Sequence, residues 1–183
     1  LAELKIAVFE RGGELQKRKC PIDGKKITGC IHCPTCAIMN GFGGAGAFSD
    51  GKYNITNAFG GTLYEYIGME EALSLMRYVD DINASHGGSK TRLYTTASSS
   101  LKTLCLQNNL HLLEASVRHL GTDINYEVLS NLYDELKNKV EIFFHTPIVK
   151  VCHKGELFVH VEDKIQFRTR FFDDQSTPPN LII

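Results

Sequence analysis

Apolar side chains recur at the spacing of an amphipathic helix in two stretches of the chain. From Thr62 to Ala84 the spacing predicts one or two helices, with a break near Gly68. From residue 122 to residue 139 apolar positions again fall on one face, and Thr122 or Asp123 is suited to cap that helix. Both stretches are expected to bury one face in a core.

Shorter apolar runs predict strands. Residues 4–9 and residues 140–145 each form such a run, and the second follows directly on the predicted helix. A helix that leads into a strand through a short link is the return half of a βαβ unit, so these two strands are expected to lie parallel in one sheet. Residues 148–151 and 157–161 flank a Lys-Gly pair, which predicts a hairpin.

The middle of the chain is less regular. Glycine is concentrated in residues 37–62, which predicts a loop with at most short helical turns. Residues 85–100 are rich in serine and glycine, residues 101–109 are predicted to be helical, and residues 110–115 to be extended. We interpret the section from residue 85 to residue 115 as an insertion or cap within an α/β fold.

Composition narrows the class of protein. The chain has 183 residues, 43% hydrophobic residues and a net charge of −1, so it lacks the basic field that recruits nucleic acid or acidic lipid. No apolar run approaches the roughly 20 residues that span a bilayer, and no signal-peptide pattern is present at the start. We therefore expect a cytoplasmic protein with neither nucleic-acid nor membrane partners; its oligomeric state cannot be read from the sequence.

Four of the six cysteines lie close together in the sequence, at Cys20, Cys30, Cys33 and Cys36. The last three have the spacing of an iron–sulfur run, although the next position in that pattern is Asn40. These cysteines could bind zinc or an iron–sulfur cluster, with the fourth ligand from Cys20 or a nearby histidine. The alternatives are a redox dithiol beside a flavin, or reduced thiols without a function.

The glycine-rich run, residues 40–51, is a candidate ligand-binding loop. Successive glycines let backbone N–H groups converge on an anion and let the main chain approach a flat ligand closely. Phe42 and Phe48 argue against a merely flexible linker, because linkers seldom carry aromatic residues. A hydroxyl, a cation and an amide suited to pyrophosphate or ribityl oxygens follow at Ser49, Lys52 and Asn54.

Two further positions could carry chemistry. Arg118 and His119 stand at a predicted strand-to-helix junction, where Arg118 could hold an anion and His119 could move a proton. Glu10 ends the first predicted strand, where an acidic residue holds a ribose in dinucleotide-binding folds. A structural histidine and a solvated glutamate are the alternatives.

The glycine-rich turn of a dinucleotide-binding unit normally lies about 20 residues before that acidic residue. Only nine residues precede Glu10. We therefore expect this chain to be part of a longer protein, without the Gly-x-Gly-x-x-Gly strand, turn and helix, and its first residue, Leu1, agrees.

Three motifs together resemble a known family. They are Val8-Phe-Glu-Arg-Gly12, the segment from Cys33 to Lys52, and Arg118-His-Leu-Gly-Thr-Asp123. In this order they resemble a family of uncharacterised FAD-dependent dehydrogenases of bacteria and archaea, over roughly residues 4–150. The resemblance implies a glutathione-reductase-like fold, here a partial Rossmann-like FAD-binding domain with an inserted α+β substrate or cap region.

The same resemblance implies three parts and a set of roles. Residues 1–61 would form part of the FAD-binding domain, residues 62–117 the inserted cap, and residues 118–183 the return to the FAD-binding sheet with a hairpin tail. Glu10 would bind the adenosine ribose, with Arg11 beside it, while Arg118 and His119 would face the substrate. The positions along the flavin and pyrophosphate would be Gly43, Gly44, Gly46, Ser49, Gly51 and Lys52.

The leading hypothesis is an FAD-dependent oxidoreductase, or a fragment of one, that acts on a small-molecule substrate. Whether NAD(P)H is its electron partner is left open. The alternatives are a zinc or iron–sulfur binding module without catalysis, organised by the four clustered cysteines, and an inactive remnant of such an enzyme.

Overall fold

The structure is a computed structural model that describes residues 6–97, 99–153, 157–161 and 166–169. It is a mixed α/β fold. The helices are α1 (Tyr64–Ile67), α2 (Met69–Ser85), α3 (Leu101–Gln107) and α4 (Gly121–Leu136). The strands are β1 (Ala7–Phe9), β2 (Lys52–Ile55), β3 (Leu93–Thr95), β4 (Ser116–His119), β5 (Glu141–Phe143), β6 (Ile148–His153), β7 (Leu157–Val161) and β8 (Gln166–Thr169).

The chain divides into two compact units. One combines residues 1–45 with residues 133–183, and the other comprises residues 46–132. We call them the first unit and the second unit. The expected three-part division, with boundaries after residues 61 and 117, stays a prediction.

The first unit contains the parallel pair that the sequence predicts. Strands β1 and β5 lie parallel, with Phe9 opposite Phe143 and their rings stacked 5.3 Å apart between centroids. The prediction of parallel pairing is confirmed, although β1 is shorter than expected and residues 1–5 lie outside the described residues. The antiparallel pairing expected of the predicted hairpin is confirmed between β6 and β7, while its turn, residues 154–156, lies outside the described residues. Strand β8 extends the sheet beyond β7.

The second unit contains an antiparallel sheet in the order β2, β4, β3. The prediction of a loop over residues 37–62 is wrong at β2, whose residues Lys52 and Ile55 pair with His119 and Ser116. A partner strand more than 60 residues away supplies the hydrogen bonds, so no local pattern reports this strand. Strand β3 pairs with the other edge of β4 and is likewise absent from the prediction.

The helices agree better with the periodicity. Gly68, with a φ of 85°, separates α1 from α2, as the expected break requires. Helix α3 lies within the helical prediction, while α4 begins at Gly121 and ends at Leu136, slightly earlier at both ends than expected. The extended segment expected over residues 110–115 is irregular, and strand β4 begins only at Ser116.

Burial is concentrated in a few side chains. Leu15 is 1% exposed in the first unit. The buried apolar residues of the second unit are Ala47, Ile55, Ala72, Leu120 and Val128. Within the described part of the chain, no helix is both long enough and apolar enough to cross a membrane.

Candidate cofactor site

Glu10 lies directly after β1, and its side chain connects two segments of main chain that are distant in the sequence. Its Oε1 accepts hydrogen bonds from the N–H of Gly12 at 2.7 Å and of Gly41 at 2.8 Å. Its Oε2 accepts none from the residues that the structure describes. The carboxylate therefore ties the end of β1 to the glycine-rich segment and keeps one oxygen for another donor.

Gly12 allows this close approach. A Cβ on Gly12 would lie 2.3 Å from the nitrogen of Gly41, which no side chain could occupy without moving the backbone. The two segments also share a hydrogen bond from the N–H of Phe42 to the carbonyl of Gly13 at 3.1 Å. The main chain after β1 and the glycine-rich segment are thus packed backbone against backbone.

Arg18 is a buried cation that the sequence reasoning missed. It is 6% exposed, and its guanidinium donates to the carbonyls of Ala37, Ile38, Phe42 and Gly44 at 2.9, 2.8, 2.6 and 2.8 Å. Burial lowers the pKa of Arg18, but arginine stays protonated in proteins. No residue pattern distinguishes Arg18 from a surface cation. Its role as an anchor for four backbone carbonyls can be recognised only in the folded structure, where these carbonyls lie around the guanidinium.

The remaining predicted cofactor residues of the first unit are exposed or nearly so. Gly43 and Gly44 have φ values of 81° and 57°, and a Cβ on Gly44 would meet no atom within 4 Å. Arg11 is exposed and donates to the carbonyl of Pro34 at 3.2 Å. A ligand could therefore reach these positions, while Arg11 is at present engaged with the cysteine-rich segment.

In the second unit, Asn125 of α4 holds the glycine-rich segment. It is fully buried, its Nδ2 donates to the carbonyl of Gly46 at 2.8 Å, and its Oδ1 accepts from the hydroxyl of Tyr53 at 2.9 Å. Burial raises the pKa of Tyr53, so the phenol remains a donor at neutral pH. Asn125 therefore anchors the carbonyl of Gly46 with a buried donor, as Arg18 anchors four carbonyls in the first unit.

Ser49 and Gly51 complete a tight turn in this segment. The hydroxyl of Ser49 donates to the carbonyl of Gly46 at 2.9 Å and accepts from the N–H of Gly51 at 3.2 Å. Gly51 has a φ of 61°, and a Cβ there would lie 2.8 Å from the Cβ of Asn125. Gly51 is therefore required by the fold itself.

Gly46 has neither a positive φ nor an atom within 4 Å of its Cβ position.

Arg118 is occupied by an internal partner. Its Nε and Nη2 donate to the two carboxylate oxygens of Asp80 at 2.7 and 2.8 Å, and its Nη1 donates to the carbonyl of Thr91. The hydrogen bonds to Asp80 raise the pKa of Arg118. Both side chains of the pair are about nine-tenths buried. The structure thus places Arg118 as a bidentate clamp between β4 and α2.

His119 is the next residue of β4, and alternation along a strand directs it to the opposite face. Its Nε2 lies 3.4 Å from Oδ2 of Asp50, and about half of its side chain is exposed. Lys52 is its cross-strand partner and is also exposed, as is Asn54 two residues further along β2. The structure therefore groups His119, Asp50 and Lys52, and separates them from Arg118.

The four clustered cysteines share one cavity in the first unit. It has a volume of about 290 Å³, and Cys20, Cys30, Cys33 and Cys36 line it together with His32. All four thiols are free, and the N–H of His32 donates to Sγ of Cys30 at 3.4 Å. Among the described residues, however, no three His, Cys, Asp or Glu side chains converge closely enough to hold a metal ion.

His145 is a second residue that the sequence reasoning missed. It follows β5, its N–H donates to the carbonyl of Gly12 at 2.8 Å, and its exposed ring lies about 3.2 Å from the position of a Cβ on Gly13. Both Glu10 and His145 thus stand at the carboxyl ends of the parallel strands. Its position as the last residue of the strand predicted over residues 140–145 was the available signal.

Comparison with known proteins adds no assignment. No family model matches the chain, and neither the curated proteins nor the solved structures contain a match.

Proposed function

We propose that this chain is part of an FAD-dependent oxidoreductase and that its first unit belongs to a Rossmann-like domain that binds the adenosine end of FAD. The observation that carries the proposal is the position of Glu10 at the carboxyl end of a parallel strand. Ligands of open α/β sheets bind at that edge. An acidic side chain there, with one oxygen anchored and the other available, is suited to accept a hydrogen bond from a ribose hydroxyl.

Residues of each unit, taken separately, are suited to parts of such a ligand. The carboxylate of Glu10 is held in place by two backbone N–H groups, so it need not lose rotamer freedom when a ribose binds. In the second unit, neither the backbone conformation nor the packing requires a glycine at position 46, and the space around its Cβ position is open. A glycine there supports the close approach of a flat ligand. In the second unit, Lys52 supplies a cation suited to pyrophosphate oxygens.

When bound, the isoalloxazine ring of the flavin supplies the hydride or electron transfer, and the protein supplies position and electrostatics. Of this chain's own residues, His119 is suited to hold or release a proton at Nε2, which lies 3.4 Å from Oδ2 of Asp50. Arg118 keeps β4 in place through Asp80, so its contribution to substrate binding is indirect.

The test is FAD binding by the purified chain, followed by flavin absorbance and ultrafiltration. We expect Glu10→Gln to weaken FAD binding about tenfold, because it replaces an ionised acceptor by a neutral one, a difference of roughly 1–2 kcal/mol. Glu14→Gln is the matched control, since Glu14 only pairs with Lys17 in the same unit. Equal affinities of the two variants, or no binding by the unaltered chain, would reject the proposal.

A second candidate function is metal binding, and the shared cavity of the four cysteines favours it. The thiols do not converge in this structure, so they would have to move toward one another around an ion, and exposed Cys30 has room to do so. Zinc titration followed by elemental analysis tests this function. We expect one ion per chain, lost in Cys33→Ser and retained in Cys105→Ser, whose thiol lies outside the cluster.

A further inference from the structure

The second unit contains a cavity of about 510 Å³ that no predicted site residue lines. Met69, Leu73 and Arg77 form one wall, and their spacing of four residues places them on a single stripe of α2. The end of β2 and the following residues, 55–58, form a second wall. Residues 111–116 form a third wall, and Lys102 of α3 also lines the cavity.

Hydrogen bonds fix the irregular third wall in place. The hydroxyl of Thr96 donates to the carbonyl of Leu113 at 2.7 Å and accepts from the N–H of Ala115 at 3.0 Å. The hydroxyl of Thr56 donates to the carbonyl of Glu114 at 2.9 Å. Hydrogen bonds therefore hold the main chain on this side of the cavity in place. Small-molecule sites are usually preformed in the same way.

The charges on its lining favour an anion. Arg77 and Lys102 are cationic, and Glu114 is the acidic residue among the lining side chains. Glu114 is paired with Lys102, whereas no ion pair or hydrogen bond joins the guanidinium of Arg77 to any described residue. One unpaired guanidinium thus stands beside an apolar lining that includes Ile55, Leu73 and Leu112.

We propose that this cavity binds a small organic acid, with its carboxylate on Arg77 and its apolar body against Leu73 and the adjoining walls. The volume lies in the range of roughly 300–1,000 Å³ that small-molecule sites occupy. A guanidinium fork matches a carboxylate through two parallel hydrogen bonds. The inference goes beyond the flavin proposal, because all of the residues that it uses belong to the second unit and none is assigned to FAD.

The experiment compares 3-phenylpropionate with 3-phenylpropanamide, which has the same apolar body without the charge. Binding to the purified chain is measured by ligand-observed NMR titration. We expect the carboxylate to bind at least tenfold more tightly than the amide. Arg77→Met should remove this preference by weakening carboxylate binding about tenfold, while amide binding changes less than twofold.

Arg92→Met is the matched control. Arg92 lies in the same unit and carries the same charge, but it stacks on Tyr94 at 4.2 Å and does not line the cavity. Lys102→Met is a second test, because it leaves the lining residue Glu114 unpaired and should also weaken carboxylate binding. Equal binding of acid and amide, no binding of either, or equal effects of Arg77→Met and Arg92→Met would overturn the proposal.

Discussion

Replacing Arg18 by methionine should loosen the glycine-rich segment and lower the free energy of unfolding. Methionine keeps much of the aliphatic stem but removes all of the donors. The carbonyls of Ala37, Ile38, Phe42 and Gly44 would each lose the hydrogen bond that the guanidinium now provides. These backbone groups belong to partly buried residues, so water replaces only some of the lost bonds.

The size of the effect follows from these contacts. A hydrogen bond from a charged donor contributes roughly 1.5–3 kcal/mol, so four of them would amount to about 6–12 kcal/mol if nothing opposed them. Burial of the guanidinium opposes them, which is why the pKa of Arg18 is lowered. Part of the segment can also rehydrate. We therefore expect a net loss of about 2–3 kcal/mol.

Urea unfolding followed by far-UV circular dichroism measures the loss, because the chain has no tryptophan to report by fluorescence. Hydrogen exchange of residues 37–45 gives the local readout, and protection there should fall in Arg18→Met. Arg11→Met is the control, since exposed Arg11 makes one long hydrogen bond, to Pro34. If Arg18→Met stays within about 0.5 kcal/mol of Arg11→Met, the anchoring role assigned to Arg18 is wrong.

Three further predictions concern other described residues. Tyr53→Phe should cost about 1–2 kcal/mol, measured by urea unfolding, because the fully buried Oδ1 of Asn125 would lose its donor; an unchanged midpoint would contradict this. Arg118→Met and Asp80→Asn should each cost about 3 kcal/mol, and the double variant clearly less than their sum, whereas additive losses would show that the pair is not coupled. Three backbone N–H groups lower the pKa of Asp23, so its contribution to stability is present above about pH 4 and is lost as pH falls through the lower folded-state pKa; an NMR titration midpoint at or above the ordinary value of about 3.9 would refute the assignment.

The elements that the sequence predicted correctly are those whose cause is local. The helical spacing of α2 and α4 and the helix-to-strand order before β5 are readable because neighbouring residues determine them. The parallel pairing of β1 with β5 could be predicted because a helix that leads into a strand through a short link is typical of a βαβ unit. Strand β2 could not be predicted this way, because glycines flank it and its partner is β4.

The candidate site shows the same division. The position of Glu10 at a strand end was visible in the sequence, but its two backbone donors were not, since Gly41 is 31 residues away. Arg118 was predicted to be available for a ligand because its partner Asp80 lies 38 residues earlier in the sequence. The periodicity of α2 does not show that Asp80 is buried. Charged side chains acquire their roles from partners that are distant in sequence, and charge patterns alone do not identify those partners.

Arg18 has one more consequence for the glycine-rich segment. In a trans peptide the C=O and the following N–H point in opposite directions. When the carbonyl of Phe42 turns toward the guanidinium, the N–H of Gly43 therefore turns away from it, toward the exposed side of the segment. An interior cation thus orients the peptide between Phe42 and Gly43 so that the positive end of its dipole faces outward. A stretch without a single lysine or arginine, residues 37–45, can in this way present the positive end of a peptide dipole at its surface.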